Sequence, residues 1–509
     1  MNKSHWRLFA AGLLIGTLSL AIPLLRDFHW ESAGLASLVS AFTAGTLSAR
    51  GRWRTARLFR NIASLLIGWV LPLLIYALST GCFSLDGLGF WLLGPVPSML
   101  FGAAVGRTVR LSGIRFPALL STLILLGCAL VPVVYQLLSY PQLYIFNHVW
   151  SYWPGPIYDE LVPLDHRLFI YRGITLLWVV ALWALPAMMS SIRYRSVVLF
   201  SAIALLFCYL NLANWGLIAP EERLIRELGS IHQTEHFTIV YDGAALDPMQ
   251  IEQIARQHEH HLEEITGALE VDREVYRENR IHSYIYAHAS QKKRLTGAGQ
   301  TSYVPVWLSD QTHIALEHLN RVLRHELVHV VARQFGNRFG ASMSIGLVEG
   351  LAVALDPDRH NHTTHQLVAA SEEWPEAREL AQLFAPAGFY SSSGAVSYLV
   401  SGSFVSHLLA HYPVDLFKTA YRTGDLEHAY SPLDLEELTR SWHRRLEQTE
   451  VDDDIRRRSV TLFQTPSLFE KPCPRVTAKR QMAERYAEST ATDHSCDQTL
   501  LSRSISAIR

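Results

Sequence analysis

Leu319-Asn320-Arg321-Val322-Leu323-Arg324-His325-Glu326-Leu327-Val328-His329-Val330-Val331-Ala332-Arg333-Gln334-Phe335, closed by Gly336, is the stretch whose reading decides the C-terminal half of this chain. Its apolar residues recur at helical spacing, which predicts one long helix over Leu319–Phe335. On a helix, positions i and i+4 share a face, so His325 and His329 can reach one metal ion. Glu326 sits beside the first histidine, where a carboxylate can take a proton from water held at the metal. The apolar setting of Val328, Val330 and Val331 does not suit a solvated face with incidental histidines.

Twenty residues beyond His329 lies Gly346-Leu347-Val348-Glu349-Gly350-Leu351-Ala352, inside a second predicted helix, Met343–Leu355. A single glutamate in an apolar helix must be paired or bound to metal, which makes Glu349 the candidate third ligand. Glycine costs about 1 kcal/mol in a helix interior. Gly346 and Gly350 therefore predict close packing, here expected against the metal-binding helix. Upstream, His236–Tyr241 and Ile281–Ala287 read as strands, with further strand pieces at Thr301–Leu308 and Thr312–Leu316. Pro248–Leu269 reads as a helix, as do segments near Ala395–His411 and Leu433–Leu446. The expectation is one α+β domain over 220–450 and a loosely packed tail over 451–509.

Charge is distributed unevenly along the 509 residues. Residues 1–218 carry 15 of the 45 basic and 6 of the 46 acidic side chains. This step excludes a single uniform soluble fold and marks a boundary near Pro220. The net charge of −1 argues against a nucleic-acid binder. A bilayer-crossing helix needs about 20 apolar residues. Seven segments qualify: Leu8–Leu25, Ala33–Ser48, Ile62–Leu78, Leu88–Val105, Pro117–Leu138, Ile174–Met189 and Val197–Ile218. Residues 1–219 are thus expected to form an α-helical multi-span membrane domain embedded in a lipid bilayer. With the N-terminus inside, 12 of the 15 basic residues fall on the cytoplasmic side. Arg26, Arg167, Arg172 and all the acids fall outside. Seven spans then put everything after Pro220 outside the cytoplasm, in the periplasm or the extracellular space, with the protein in the plasma (inner) membrane. The first span follows a basic start, but no small-x-small cleavage site follows it, so it reads as retained.

Taken together, the two metal-helix segments resemble the gluzincin zinc peptidases, in which an H-E-x-x-H helix is followed by a downstream glutamate ligand. Val348-Glu349-Gly350-Leu351-Ala352 is similar to the E-G-x-A stretch of the peptidase-MA-like branch. Tyr398 with Gly402-Ser403-Phe404 resembles a further segment of it. The resemblance spans roughly Phe237–Leu446. It implies a zincin-like fold, one Zn2+ per chain held by His325, His329 and Glu349, Glu326 as general base, and a peptide or protein substrate. It also implies that Tyr398 donates to the oxyanion of the tetrahedral intermediate; otherwise Tyr398 is an ordinary half-buried tyrosine. Two features depart from the family pattern. No G-x-M-E-N stretch is present to hold a free N-terminus, which favours an endopeptidase over an aminopeptidase. Val353 stands where thermolysin-like enzymes place an aspartate to orient the first histidine, with Asp356 the nearest acid.

Other groups have simpler readings. His258, His260 and His261 read as a wet helix face, with metal binding the alternative. His360, His362 and His365 read as a polar loop or a cleft border. The aromatic-rich loop Ser139–Asp165 reads as an interfacial belt or a ligand lid. Cys473 and Cys496 can pair if their compartment is oxidising, while Cys82, Cys128 and Cys208 read as packing residues. Thr312–Leu316 is a candidate sheet edge for an extended peptide. No span shows an obvious buried acid or base. The expected function is a membrane-anchored zinc metallopeptidase. The second reading is a catalytically inactive peptidase-fold membrane protein that binds peptides or senses.

Overall fold

The computed structural model describes residues 3–51, 55–156, 162–308, 310–338, 340–356, 363–371, 373–467, 469–470 and 473. Tyr158, His360, His362 and Cys496 lie outside the described residues. The chain divides into two compact units. One comprises 1–132, 146–211 and 472–509, the other 133–145 and 212–471.

The first unit is built of α1 (Lys3–Ser19), α2 (Trp30–Arg50), α3 (Thr55–Ser79), α4 (Leu85–Leu93), α5 (Pro95–Leu111), α6 (Pro117–Ser139, whose last turns belong to the second unit), the short strands β1 (Ile145–Asn147) and β2 (Ser151–Trp153), α7 (His166–Ala184) and α8 (Ile192–Leu210). Among the described residues, six helical segments are long and apolar enough to cross a membrane: Trp30–Arg50, Ala56–Ser79, Leu85–Leu111, Pro117–Ser139, His166–Ala187 and Ile192–Leu210. The first expected span, Leu8–Leu25, is realised as the 17-residue α1, at the short end of what spans a bilayer. Small residues explain the packing. A β-carbon on Gly102 would strike the Ala41 carbonyl, and one on Gly106 the Gly45 carbonyl, so α5 lies directly on α2. This is how membrane helices associate where lipid is as apolar as leucine. The Ala/Gly/Ser-rich α2 is therefore a closely packed candidate span.

Two expectations for this unit are corrected. Helix α7 begins eight residues before the predicted span, and this carries Arg172 into it, 2% exposed. Its Nη1 donates to the carbonyls of Asn147 at 3.2 Å and His148 at 3.4 Å. A buried basic side chain does therefore lie within a candidate span. Cys473 pairs with Cys82, at a Cα–Cα distance of 5.5 Å, not with Cys496, so Cys82 is no mere packing residue. The aromatic loop also turns inward. Tyr152 stacks on Phe90 and packs at a tilt against Phe146, and the buried Tyr144 donates its hydroxyl to the Gly216 carbonyl at 2.7 Å.

The second unit begins with α9 (Glu221–Leu228) and holds a four-stranded sheet of order β3-β4-β5-β6, formed by β3 (Gly229–Gln233), β4 (Phe237–Asp242), β5 (Ile281–Tyr286) and β6 (Gln311–Ala315). β3 runs antiparallel to β4, and β4, β5 and β6 are parallel. Between β4 and β5 lie α10 (Pro248–Ala268) and the single turn α11 (Val275–Glu278); α12 (Ala289–Thr296) joins β5 to β6. Asp247 starts α10 by accepting from the amides of Met249 and Gln250, with Pro248 at the first helical position. Helices α13 (Leu319–Ala332), α14 (Ile345–Ala354), α15 (Thr364–Ala369), α16 (Ala377–Phe384), α17 (Pro386–Ser391), α18 (Gly394–His411), α19 (Val414–Thr423), α20 (Leu426–Tyr430), α21 (Leu435–Glu447) and α22 (Asp453–Phe463) follow. Helix α22 buries Ile455, and Ser459 Oγ donates to the Leu367 carbonyl at 2.7 Å. The packed unit thus runs past residue 450 into the expected tail.

Segment 133–145 is built into this unit. The Leu143 amide donates to the Thr296 carbonyl at 2.9 Å, and the Tyr303 hydroxyl to the Pro141 carbonyl at 2.8 Å. β6 is not a free edge. Tyr303 forms an antiparallel bridge to His313, so the strand expected over Thr301–Leu308 reduces to that bridge and lies outside β6.

Candidate metal centre

Helix α13 presents His325 and His329 one turn apart, ring centroids 4.9 Å apart. Helix α14 brings Glu349 between them. Its Oε2 is 3.3 Å from His325 Nε2 and 3.5 Å from His329 Nε2. The candidate ligand atoms of all three lie within 4.8 Å of one another. Two imidazole nitrogens and one carboxylate oxygen at this spacing can hold a metal ion, and three protein ligands leave a position for water. Burial disfavours the charge on Glu349, but His329 and His325 outweigh it and hold its carboxyl well below the usual range. Burial likewise opposes a charge on His329, yet Glu349 raises its pKa.

Glu326 is 5% exposed on the same helix. Burial raises its carboxyl, His325 and His329 pull it back, and the charge of Glu349 raises it further. Arg324 ties the frame together. It donates to the Leu355 carbonyl at the end of α14 and to Glu264 on α10. Tyr398, on α18, sits with its ring centroid 6.5 Å from that of His325 and 5.2 Å from that of Phe389. Every residue singled out for the site in the sequence is thus on one of three adjoining helices.

The glycines around Glu349 act differently from expectation. A β-carbon on Gly350 would lie 2.8 Å from the Ser401 carbonyl oxygen and 2.9 Å from Val405, and one on Gly346 would collide with Phe384. The close approach is therefore to α18 and α16, not to the metal helix. His325 Nδ1 is buried without a hydrogen-bond partner, so Asp356 does not orient that ring. Sequence reasoning missed Tyr421 on α19. It is 3% exposed, and burial, then Glu349, raises its phenol. Only the fold brings this residue, 72 positions downstream, toward Glu349. His258 leaves the predicted wet face. It is fully buried, with Nδ1 2.8 Å from the Ile254 carbonyl oxygen and Nε2 2.9 Å from Ser283 Oγ. His365 lies on α15, bonded to Ser403.

Comparison of the chain with protein-family models, with curated proteins and with solved structures finds no match in any of the three.

Proposed function

We propose that this chain is a membrane-anchored zinc metallopeptidase of the gluzincin type, cleaving peptide bonds outside the cytoplasm. The observation that carries the reading is the convergence of His325, His329 and Glu349 with a buried carboxylate, Glu326, next to the first ligand. Two imidazoles and a carboxylate suit zinc, and zinc there would supply Lewis acidity and make a bound water acidic near neutral pH. Glu326 takes the proton of the attacking water and hands it to the leaving amine, a task favoured by a carboxyl raised above its ordinary value. Tyr398 donates to the carbonyl oxygen as negative charge gathers on it.

The extracytoplasmic setting is supported by the Cys82–Cys473 disulfide, since such bonds persist in oxidising compartments. The test uses the full chain in detergent, because segment 133–145 is part of the second unit. One zinc per chain is expected, lost in His325→Ala, His329→Ala and Glu349→Ala, together with cleavage of a peptide library by the parent. Metal-free parent protein would overturn the proposal. Zinc and peptide binding without cleavage would move the assignment to a binding or sensory protein.

A further inference from the structure

Among the described residues beyond 211, one pair of large apolar side chains adjacent in sequence stands exposed: Val306 at 65% and Trp307 at 43%. They belong to Val304-Pro305-Val306-Trp307-Leu308, and from Leu295 to Ser309 the chain carries no charge. The pair sits at one end of the sheet. Tyr303 is bridged antiparallel to His313 of β6, so the chain leaving Tyr303 heads toward the start of that strand. The Gln311 amide, at the first residue of β6, donates to the Leu308 carbonyl at 3.1 Å. Val306 and Trp307 therefore lie at the N-terminal end of β6.

Both connections to the candidate spans reach the second unit on this side. Candidate span Pro117–Ser139 ends two residues before Pro141, whose carbonyl accepts the Tyr303 hydroxyl at 2.8 Å. Candidate span Ile192–Leu210 leads through 211–220 to Glu221. There Glu221 Oε1 lies 2.8 Å from His282 Nδ1, and His282 is the residue of β5 paired with Gln311. The end of α6 is itself aromatic, with Tyr135 and Tyr140 edge to face at 5.7 Å. Tyrosine and tryptophan collect where a bilayer meets water, because an indole or phenol offers an apolar body and a polar edge. Met249, at the start of α10, is the counter-example. It is 80% exposed, but it follows the C-terminal end of β4, which runs parallel to β6 through β5. It is thus at the far end of the sheet from Trp307.

We propose that the loop Val304–Leu308 docks on the lipid bilayer, with Val306 and Trp307 entering the boundary between headgroups and acyl chains. The occupant of this apolar surface is lipid because the loop is fastened, through Tyr303, to a segment two residues beyond a candidate span, and because its exposed residues are those that suit a wet apolar boundary. The inference rests on the apolar helices crossing a membrane and not on the metal centre.

The experiment places a nitroxide on Val306→Cys, Trp307→Cys and Met249→Cys, one at a time, in the full chain with Cys128→Ala and Cys208→Ala. The protein is reconstituted in bilayers of phosphatidylcholine and phosphatidylglycerol. An intact Cys82–Cys473 bond and a single chromatographic peak check folding. Collision of each nitroxide with oxygen, which enters lipid, is compared with collision with a nickel chelate, which stays in water. The oxygen-to-nickel ratio at Val306, Trp307 or both is expected to exceed that at Met249 by about 3-fold or more, as for side chains sunk below the headgroups. A ratio at neither position above that of Met249 would overturn the proposal. So would low collision rates with both reagents at the two positions, which would mean that protein covers the loop.

Discussion

In the proposed mechanism Glu326 and Tyr398 meet the reacting atoms differently, and their substitutions separate the two roles. Glu326→Gln keeps the shape and removes the base. We expect zinc content near that of the parent and a rate loss of about 100-fold or more. Tyr398→Phe should cost about 10- to 100-fold, as the loss of one oxyanion donor does. Peptide cleavage and zinc content measured on the same samples decide both; cleavage by Glu326→Gln at the parent's rate would refute the mechanism. His258 allows a prediction that needs no catalysis. Burial lowers it from 6.5 to about 4 in the fold. Between those values the unfolded chain binds a proton that the folded chain refuses. The stability His258 allows is therefore full above about pH 6.5 and falls as the pH drops toward 4, by about 3 kcal/mol at most. Unfolding followed by tryptophan fluorescence between pH 7 and 4.5 should show a slope to which His365 and His407, also lowered to about 4 by burial, contribute, and His258→Gln should make it shallower.

At the scale of elements, α14 is a helix whose intrinsic preference yields to its packing. An alanine at Gly350 would gain about 1 kcal/mol of helix propensity. Its β-carbon, 2.8 Å from the Ser401 carbonyl oxygen, would force α14 off α18. We expect Gly350→Ala to destabilise the second unit by about 1–3 kcal/mol and to weaken zinc binding by moving Glu349. Gly394, at the start of α18, has nothing within 4 Å of its would-be β-carbon, so Gly394→Ala should be neutral or stabilising. Denaturation midpoints of the two variants test the contrast. These elements also show what the sequence makes legible. Helices α10 and α13 and strands β4 and β5 were readable from their apolar period, and α14 and α18 as continuous apolar runs opened by the capping serines Ser344 and Ser393. The five-residue β3 was not, since Gly229–Gln233 carries one large apolar side chain, Ile231, and that one is half exposed. The grouping of the candidate ligands was legible because H-E-x-x-H spacing is local and Glu349 is the lone acid of an apolar helix. The partners of Gly350, of His258 and of Cys473 lie far away in sequence, and no local period encodes them.

At the scale of the whole molecule, the disulfide constrains which way the chain crosses the bilayer. Cys82 precedes and Cys473 follows four candidate spans, Leu85–Leu111, Pro117–Ser139, His166–Ala187 and Ile192–Leu210. Four crossings return the chain to the side from which it left, so the two cysteines meet only if all four helices span or an even number of them do. This parity is independent of α1, whose short length leaves its own crossing to the charge pattern. In the orientation proposed from the arginines the Cys82 loop lies outside, where a disulfide is stable as it is not in a reducing cytoplasm. We therefore predict that in intact cells neither Cys82 nor Cys473 reacts with a membrane-impermeant maleimide until an impermeant reductant is added, and that both react afterwards. Cys128 and Cys208, unpaired in the first unit, should stay unlabelled until the membrane is dissolved. Labelling of Cys473 only after lysis would place the second unit in the cytoplasm and remove the compartment proposed for the peptidase. A free Cys82 thiol in the purified, non-reduced chain would remove the bond on which the parity argument rests.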